Sequence, residues 1–373
     1  MSRKYSRSAL TIVAGVCFTA LVYLSSPYSP PPPPAFFRSG PGPHRPWGLG
    51  FGFGEGGSRG PSLLKRWLWE EDERYQESVR ERQELIEKWG PGEGQVDPFP
   101  SHGEFYTLWD YFIPSFQCPH RVERIGMRGD GGKWVCGMDR VAEQQECVIY
   151  SFGINGESSF EAALLERAPG CQVWGYDFSV NEFGPEIELI PSLQKRSHFL
   201  SAGLAGEDKA SEYDNPKFYT LQSLMEMNNH TFIDILKIDI EGAEFEALAA
   251  LVKAYATAPP PPPPHPFPPS NPPDSSDLDH HHHPHDASFP PPPPPLTVLP
   301  FGQLQIEIHA RHGHEKFAEF ARWWKDLEEA GLRPFWTEPN LVYVNLVRGV
   351  GPELAEYSFM NIRGEHALVS DFY

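Results

Sequence analysis

Basic residues are scarce in this chain: 31 Lys and Arg stand against 50 Asp and Glu, a formal net charge of −19 at pH 7 over 373 residues. Phosphate backbones are held by surplus Lys and Arg, so this balance argues against nucleic acid as the natural partner. Cysteine is sparse too. The five present include no CxxC spacing, which leaves a structural zinc site without support, and no metal ligand is assigned from the sequence. Nor is there an apolar run of the roughly 20 residues that comfortably cross a bilayer. The nearest approach is Ala9 to Leu24, behind Arg3, Lys4 and Arg7. It reads as a signal anchor or a signal peptide within residues 1–26, with the rest of the chain lumenal in a single-pass membrane protein, or secreted after cleavage at the Ser25, Ser26, Pro27 stretch.

Proline and glycine concentrate in two places, which shortens the part that can fold. Residues 27–61 are proline-rich and then glycine-rich, with aromatics at no fixed period, and are expected to form a disordered stalk. A second stretch, residues 258–296, holds two proline runs around the His280 to His285 cluster and is expected to be a disordered loop inserted in the domain. Concentrated histidines can bind a borderline metal, but such tracts expand easily in loops and are given no catalytic part. Between these segments, residues 62–104 comprise a helix and a linker. The spacing of Leu63, Leu64, Trp67, Leu68, Tyr75, Val79, Leu85, Ile86 and Trp89 among Glu and Arg predicts an amphipathic helix ending at Pro91 and Gly92, with packing on the domain as its plainest role.

Residues 105–373 carry a regular alternation. Strands are predicted at Glu146–Phe152, Gln172–Phe178, His198–Leu204, Ile233–Asp239 and Leu304–Ile308, and helices at Ser158–Arg167, Ala243–Tyr255 and Glu315–Ala330. Such an order implies a mostly parallel sheet covered by helices on both faces, an α/β Rossmann-like fold. Pro334–Trp336 and Leu341–Val347, joined around Glu338, Pro339 and Asn340, read as a terminal antiparallel hairpin. Cys118, Cys136, Cys147 and Cys171 are even in number and open to disulfides, with the pairing left undetermined, and Asn229, His230, Thr231 form a glycosylation sequon.

Three features carry chemistry. The first is the turn Tyr150, Ser151, Phe152, Gly153, Ile154, Asn155, Gly156, Glu157, set between a strand and a helix, where glycines let the backbone turn sharply and a ligand approach its amides. The second is Asp177, followed by Phe178, at the end of the next strand about twenty positions on, where a carboxylate can accept both ribose hydroxyls. The third is Leu236–Glu244, LKIDIEGAE, in which a hydrophobic strand runs into three carboxylates. These could orient a substrate hydroxyl, hold a cationic cofactor or bind a hard ion, while Glu244 is read as a residue favouring a helix start.

LKIDIEGAE resembles the signature of FkbM-type S-adenosylmethionine-dependent methyltransferases. Arg124–Cys136, RIGMRGDGGKWVC, and Tyr150–Phe160, YSFGINGESSF, resemble methyltransferase-like proteins of the type 24 group, which enter the secretory route. The likeness spans Phe105 to Phe372 without the proline loop. It implies a class I methyltransferase with S-adenosylmethionine as cofactor, bound along Ser151, Phe152, Gly153, Asn155 and Gly156 for the methionine part and Asp177 and Phe178 for the ribose side. Asp239 would face the methyl, with Asp130 and Gly131 nearby. One departure is Ser151, where many class I enzymes carry an acid.

Methyl transfer mainly requires alignment of a nucleophile with an already activated sulfonium, plus a base if the acceptor is a hydroxyl. Asp239, Glu241, Glu307 and His309 are the candidates for that base. The expected activity is O-methylation of a small-molecule, glycan or lipid hydroxyl. Two alternatives remain: a non-catalytic scaffold that keeps the fold, and a nucleotide-dependent oxidoreductase, against which the absence of a regular GxGxxG at the turn counts.

Overall fold

The computed structural model describes residues 62–90, 92–256 and 298–371. The expected membrane segment, the stalk and the Pro/His-rich insert lie outside these residues. Among those described, no helix is long and apolar enough to cross a membrane.

Helix α1, Leu63–Trp89, forms where the amphipathic period placed it, capped by Ser62 Oγ accepting from the Lys65 amide at 3.1 Å. Its buried stripe of Leu68, Tyr75 and Ile86 packs against the domain. Polar contacts fix that docking: Tyr75 Oη donates to Glu328 at 2.5 Å, and Arg82 donates to Glu328 at 2.7 Å and to the Tyr111 carbonyl at 2.8 Å.

Two short strands follow, β1 (Val122–Ile125) and β2 (Lys133–Cys136), paired antiparallel, and then the short helix α2 (Met138–Ala142). The main sheet begins at β3 (Cys147–Phe152), leads through α3 (Ser159–Arg167) to β4 (Cys171–Tyr176), and through α4 (Pro185–Glu188) and α5 (Pro191–Gln194) to β5 (Ser197–Leu200). A parallel pair of two-residue strands, β6 (Gly203–Leu204) and β7 (Phe218–Tyr219), precedes α6 (Leu221–Met227). The chain then enters β8 (Ile233–Ile238), α7 (Glu244–Ala256), β9 (Phe301–His309), α8 (Phe317–Glu329), β10 (Leu332–Pro339), α9 (Leu341–Leu346) and β11 (Leu354–Asn361).

The seven-stranded sheet runs β10-β11-β9-β8-β3-β4-β5, with β5, β4, β3, β8 and β9 parallel and β11 inserted antiparallel between β9 and β10. Successive strands step outward from β3 in one direction and from β8 in the other. The order therefore reverses between β3 and β8, and a crevice opens at their carboxyl ends.

The terminal hairpin exists, but its second strand is not the expected one. Leu341–Val347 was expected extended because it is rich in β-branched and apolar residues. Instead Asn340 caps a helical turn there, its Oδ1 accepting from the Tyr343 amide at 2.9 Å, and Leu341 is 70% exposed. The partner of β10 is β11. The third predicted strand is likewise cut short, because Ser201 and Ala202 break it into β5 and β6. The four folded-region cysteines pair as Cys118–Cys136 and Cys147–Cys171. The second bond joins register partners at the starts of β3 and β4.

Candidate active site

The turn after β3 is shaped by its own chain before any ligand is considered. Gly153 and Gly156 have φ of 80° and 77°, and Asn155 joins them at 45°. A Cβ on Gly153 would stand 1.7 Å from the Asp239 carbonyl oxygen, so this glycine is demanded by the close approach of the β3 and β8 ends. Gly156 faces open space and is required for its backbone angle alone.

Asp177, at the end of β4, organises the same turn. Its Oδ2 accepts from the Asn155 amide at 2.8 Å, and its Oδ1 accepts from the amide and hydroxyl of Ser179, both at 2.6 Å. A carboxylate offers about four acceptor positions. Three are taken within the chain, which leaves one open for a ribose hydroxyl in this arrangement. Phe178 is 52% exposed and sets its ring 5.3 Å from that of Phe218, outside the lining of the crevice floor. Phe152 turns its ring into the core, stacked on Tyr176 at 4.8 Å, so only its backbone belongs to the turn.

A cavity of about 140 Å³ lies between the β1–β2 connection, the β3 turn and the end of β8, lined in part by Asp130, Gly131, Lys133, Glu161, Lys237 and Asp239. Ser151, the departure noted in the sequence, is buried and donates to Glu161 on α3. An acid thus reaches the cavity from ten residues further along. Lys237 donates to the Gly153 carbonyl, tying β8 to the turn. Asp130 accepts from Asn340 Nδ2 at 3.0 Å, which brings the β10–α9 junction to the cavity's rim.

Beside this cavity sits a buried charge cluster. Lys133, almost fully buried on β2, donates to Asp239 Oδ2 at 3.2 Å and to Glu356 on β11. Burial disfavours its charge, but Glu356, Asp239 and Glu307 together hold the ammonium pKa above the usual lysine range. Burial would also raise Asp239, yet Lys133 and Lys237 overcome it and keep this carboxyl well below the ordinary carboxylate range. Glu307 is pushed up to about 8 by burial and by the charges of Asp239 and Glu356. Glu356 rises to about 7, chiefly by burial, with Lys133 opposing and Asp239 adding to the shift. At neutral pH Asp239 is the firmly ionised member of the group.

His309 ends β9 fully buried. Glu244 Oε1 accepts from its backbone amide at 2.8 Å and meets its Nδ1 at 3.0 Å, while Glu244 Oε2 accepts from the Gly242 amide at 2.8 Å. Glu244 is therefore more than a helix-start residue: it is completely buried and fixes the imidazole. Burial works against the charged ring, but the Glu244 carboxylate, helped by Glu307 and Asp239, raises the His309 pKa to about 9. Its Nε2 has no hydrogen-bond partner and stands 3.6 Å from both Glu307 Oε2 and Glu241 Oε2. Glu241, with a left-handed φ of 60°, is largely exposed and paired with Arg311.

Of the residues singled out in the sequence, Asp130, Gly131, Gly153, Asn155 and Asp239 line one cavity, His309 stands beside Asp239 at the end of β9, and Glu241, just after β8, stands 3.6 Å from His309 Nε2. Lys133, Lys237, Glu161, Glu356 and Asn340 were not foreseen. A signal existed for two of them, since a lysine inside LKI and another opening KWVC interrupt apolar strands and need a buried counter-charge.

A methyltransferase-domain family, Methyltransf_22, matches residues 70–257, half of the chain. The chain belongs to this family. No curated protein matches it. Among solved structures it is similar to the fibrillarin pre-rRNA processing protein of Methanococcus jannaschii, at 9% identity over 65% of this chain and 82% of that one, with a TM-score of 0.30. It is also similar to the methyltransferase FkbM from Methylobacillus flagellatus (14%, 57% and 43%, TM-score 0.27) and to the mitomycin 7-O-methyltransferase MmcR (13%, 60% and 52%, TM-score 0.27). Likenesses this remote carry nothing about the acceptor.

Proposed function

We propose that the chain transfers the methyl group of S-adenosylmethionine to an oxygen nucleophile. The observation that carries this reading is the placement of an ionised Asp239 across a backbone-to-backbone contact from the Gly153 turn, at the point where strand order reverses. A cationic sulfonium is favoured beside such a carboxylate, and the exposed amide edge of the turn suits the methionine end. Asp177 would hold one ribose hydroxyl, and Phe178 offers an exposed aromatic face beside it for the base. Glu161 answers the objection raised by Ser151, because the missing acid is supplied from α3, and this weakens the case for a scaffold that has lost its cofactor.

For the acceptor, Asp239 and Glu241 are the candidates to take a proton from a hydroxyl beside the methyl, because Glu307, pushed up to about 8, and His309, raised to about 9, already carry theirs at neutral pH. His309 is held in place by Glu244. A small-molecule, glycan or lipid hydroxyl fits an acidic crevice better than a phosphate-rich polymer does, given the net charge of −19. A lumenal or secreted location is supported by the two disulfides and by Asn229, which lies exposed in its sequon.

Calorimetric titration of the protein with S-adenosylmethionine and S-adenosylhomocysteine tests this reading, with nicotinamide cofactors as controls. Saturable binding of both sulfur ligands, weakened at least tenfold in Asp177→Ala and Asp239→Asn, is the expected result. Correctly folded wild-type protein that binds neither would overturn it.

A further inference from the structure

We infer that Asp239, Glu307 and His309 form a binding site for a divalent first-row metal ion at the carboxyl ends of β8 and β9. One ligand atom from each of these side chains lies within 4.8 Å of the others. Two ligands on one ion stand at most about 4.4 Å apart, twice a typical bond length, so small side-chain rotations close the set.

Three details distinguish this cluster from acids that merely share a surface. First, His309 has no exposed surface, and its Nε2 is a buried polar atom without a hydrogen-bond partner, 3.6 Å from Glu307 Oε2 on one side and from Glu241 Oε2 on the other. A buried nitrogen left unpaired is costly, and a metal ion is the partner that two carboxylates and an imidazole accept together. Second, the other ring nitrogen is held by the buried Glu244 carboxylate at 3.0 Å, the arrangement that fixes the tautomer and orientation of metal-binding histidines. Third, Glu307 is itself oriented. Its Oε1 accepts from Asn340 Nδ2 at 2.6 Å, leaving Oε2 turned toward His309. The resident cation, Lys133, reaches Asp239 and Glu356, while among the described residues the ion-pair contact of Glu307 is with His309.

Two carboxylate oxygens and one nitrogen suit Mn²⁺ or Zn²⁺ better than Ca²⁺, which prefers a larger all-oxygen shell. Binding of the ion stands on this geometry alone. Its role, gripping an acceptor oxygen next to Asp239, rests on the methyl-transfer reading.

The test uses the full-length chain, stripped with chelator and titrated with MnCl₂ alone, free Mn²⁺ being read by its electron paramagnetic resonance signal. His280, His281, His282, His283 and His285 could bind metal independently, so a parent with these five changed to Ser is used. Asp239→Asn, Glu307→Gln and His309→Gln are made in that background. One equivalent should bind the parent, and the affinity should fall at least tenfold in each variant that retains the parent's circular dichroism. Mn²⁺ should raise the parent's melting temperature and leave those of the variants unmoved. No saturable binding by the folded parent, or weakening in none or only one of the folded variants, overturns the site. S-adenosylmethionine is absent throughout, and its own binding can fail without altering this outcome.

Discussion

The two faces of β9 differ as sharply as two different proteins, although all nine residues from Phe301 to His309 are buried. On one face Leu304, Ile306 and Ile308 pack into the apolar core. On the other, Gln303 and Gln305 grip the backbone of β2 at Cys136 and Trp134, and Glu307 and His309 continue the same row into the charge cluster. One face is held by loss of water from hydrocarbon and the other by directed polar bonds. A strand can be wholly buried and still be half polar, provided something with matching donors and acceptors lies over it. Here that cover is the β1–β2 hairpin, which also delivers Lys133 to Asp239.

Attacking the apolar face should have the largest effect on stability. Ile306→Ala leaves a cavity under the sheet and is expected to cost about 2–5 kcal/mol in denaturant unfolding, while the affinity of the folded fraction for S-adenosylmethionine, the proposed cofactor, stays unchanged. An effect on affinity as large as on stability would show that the faces are not separable. Acid comes next. His366 packs over Gly302, at the start of the apolar face, and burial lowers its pKa to about 4. Its folded-state value lies below the ordinary histidine value, so the unfolded chain binds the proton more tightly. Stability is unaffected above pH 6.5 and declines as pH falls from there toward 4, by up to roughly 3 kcal/mol. Unfolding curves of His366→Asn between pH 4 and 7 should be flatter than wild type, and equal slopes would sink this assignment. The smallest change in stability is expected on the polar face. Glu307, pushed up to about 8, is largely neutral at pH 7, so Glu307→Gln keeps an acceptor for Asn340 and removes little charge, and stability should change by less than about 1 kcal/mol, in either direction. A loss beyond 2 kcal/mol would mean that Glu307 contributes to the fold as an anion.

The same contrast explains what the sequence made legible. Apolar strands leading into glycines and acids disclosed β3, β4, β8 and β9, and with them the parallel sheet and the residues at its carboxyl end. The cover escaped notice. Strands of four residues such as β1 and β2 give no periodic signal, and the row Gln303, Gln305, Glu307, His309 alternates in a way that reads as a solvent-facing side. Its burial depends on a hairpin some 170 positions away in the chain. Leu341–Val347 misled for the converse reason: local strand preference yielded to the Asn340 cap and to the insertion of β11 between β9 and β10. Glu244 looked like an ordinary helix-start acid because nothing in LKIDIEGAE reveals that His309, 65 residues later, folds onto it.

The contact at Gly153 has a consequence for how this crevice can change by mutation. Nineteen side chains begin with or contain a carbon that would occupy the place of the Asp239 carbonyl oxygen, so nearly every heritable change at that codon is closed. Gly156, with a similar backbone angle and empty space around it, can drift to Asn or Asp. One wall of the crevice is thereby frozen against drift, and variation that reshapes it has to enter from the opposite rim, through Met127, Asp130 and Asn340.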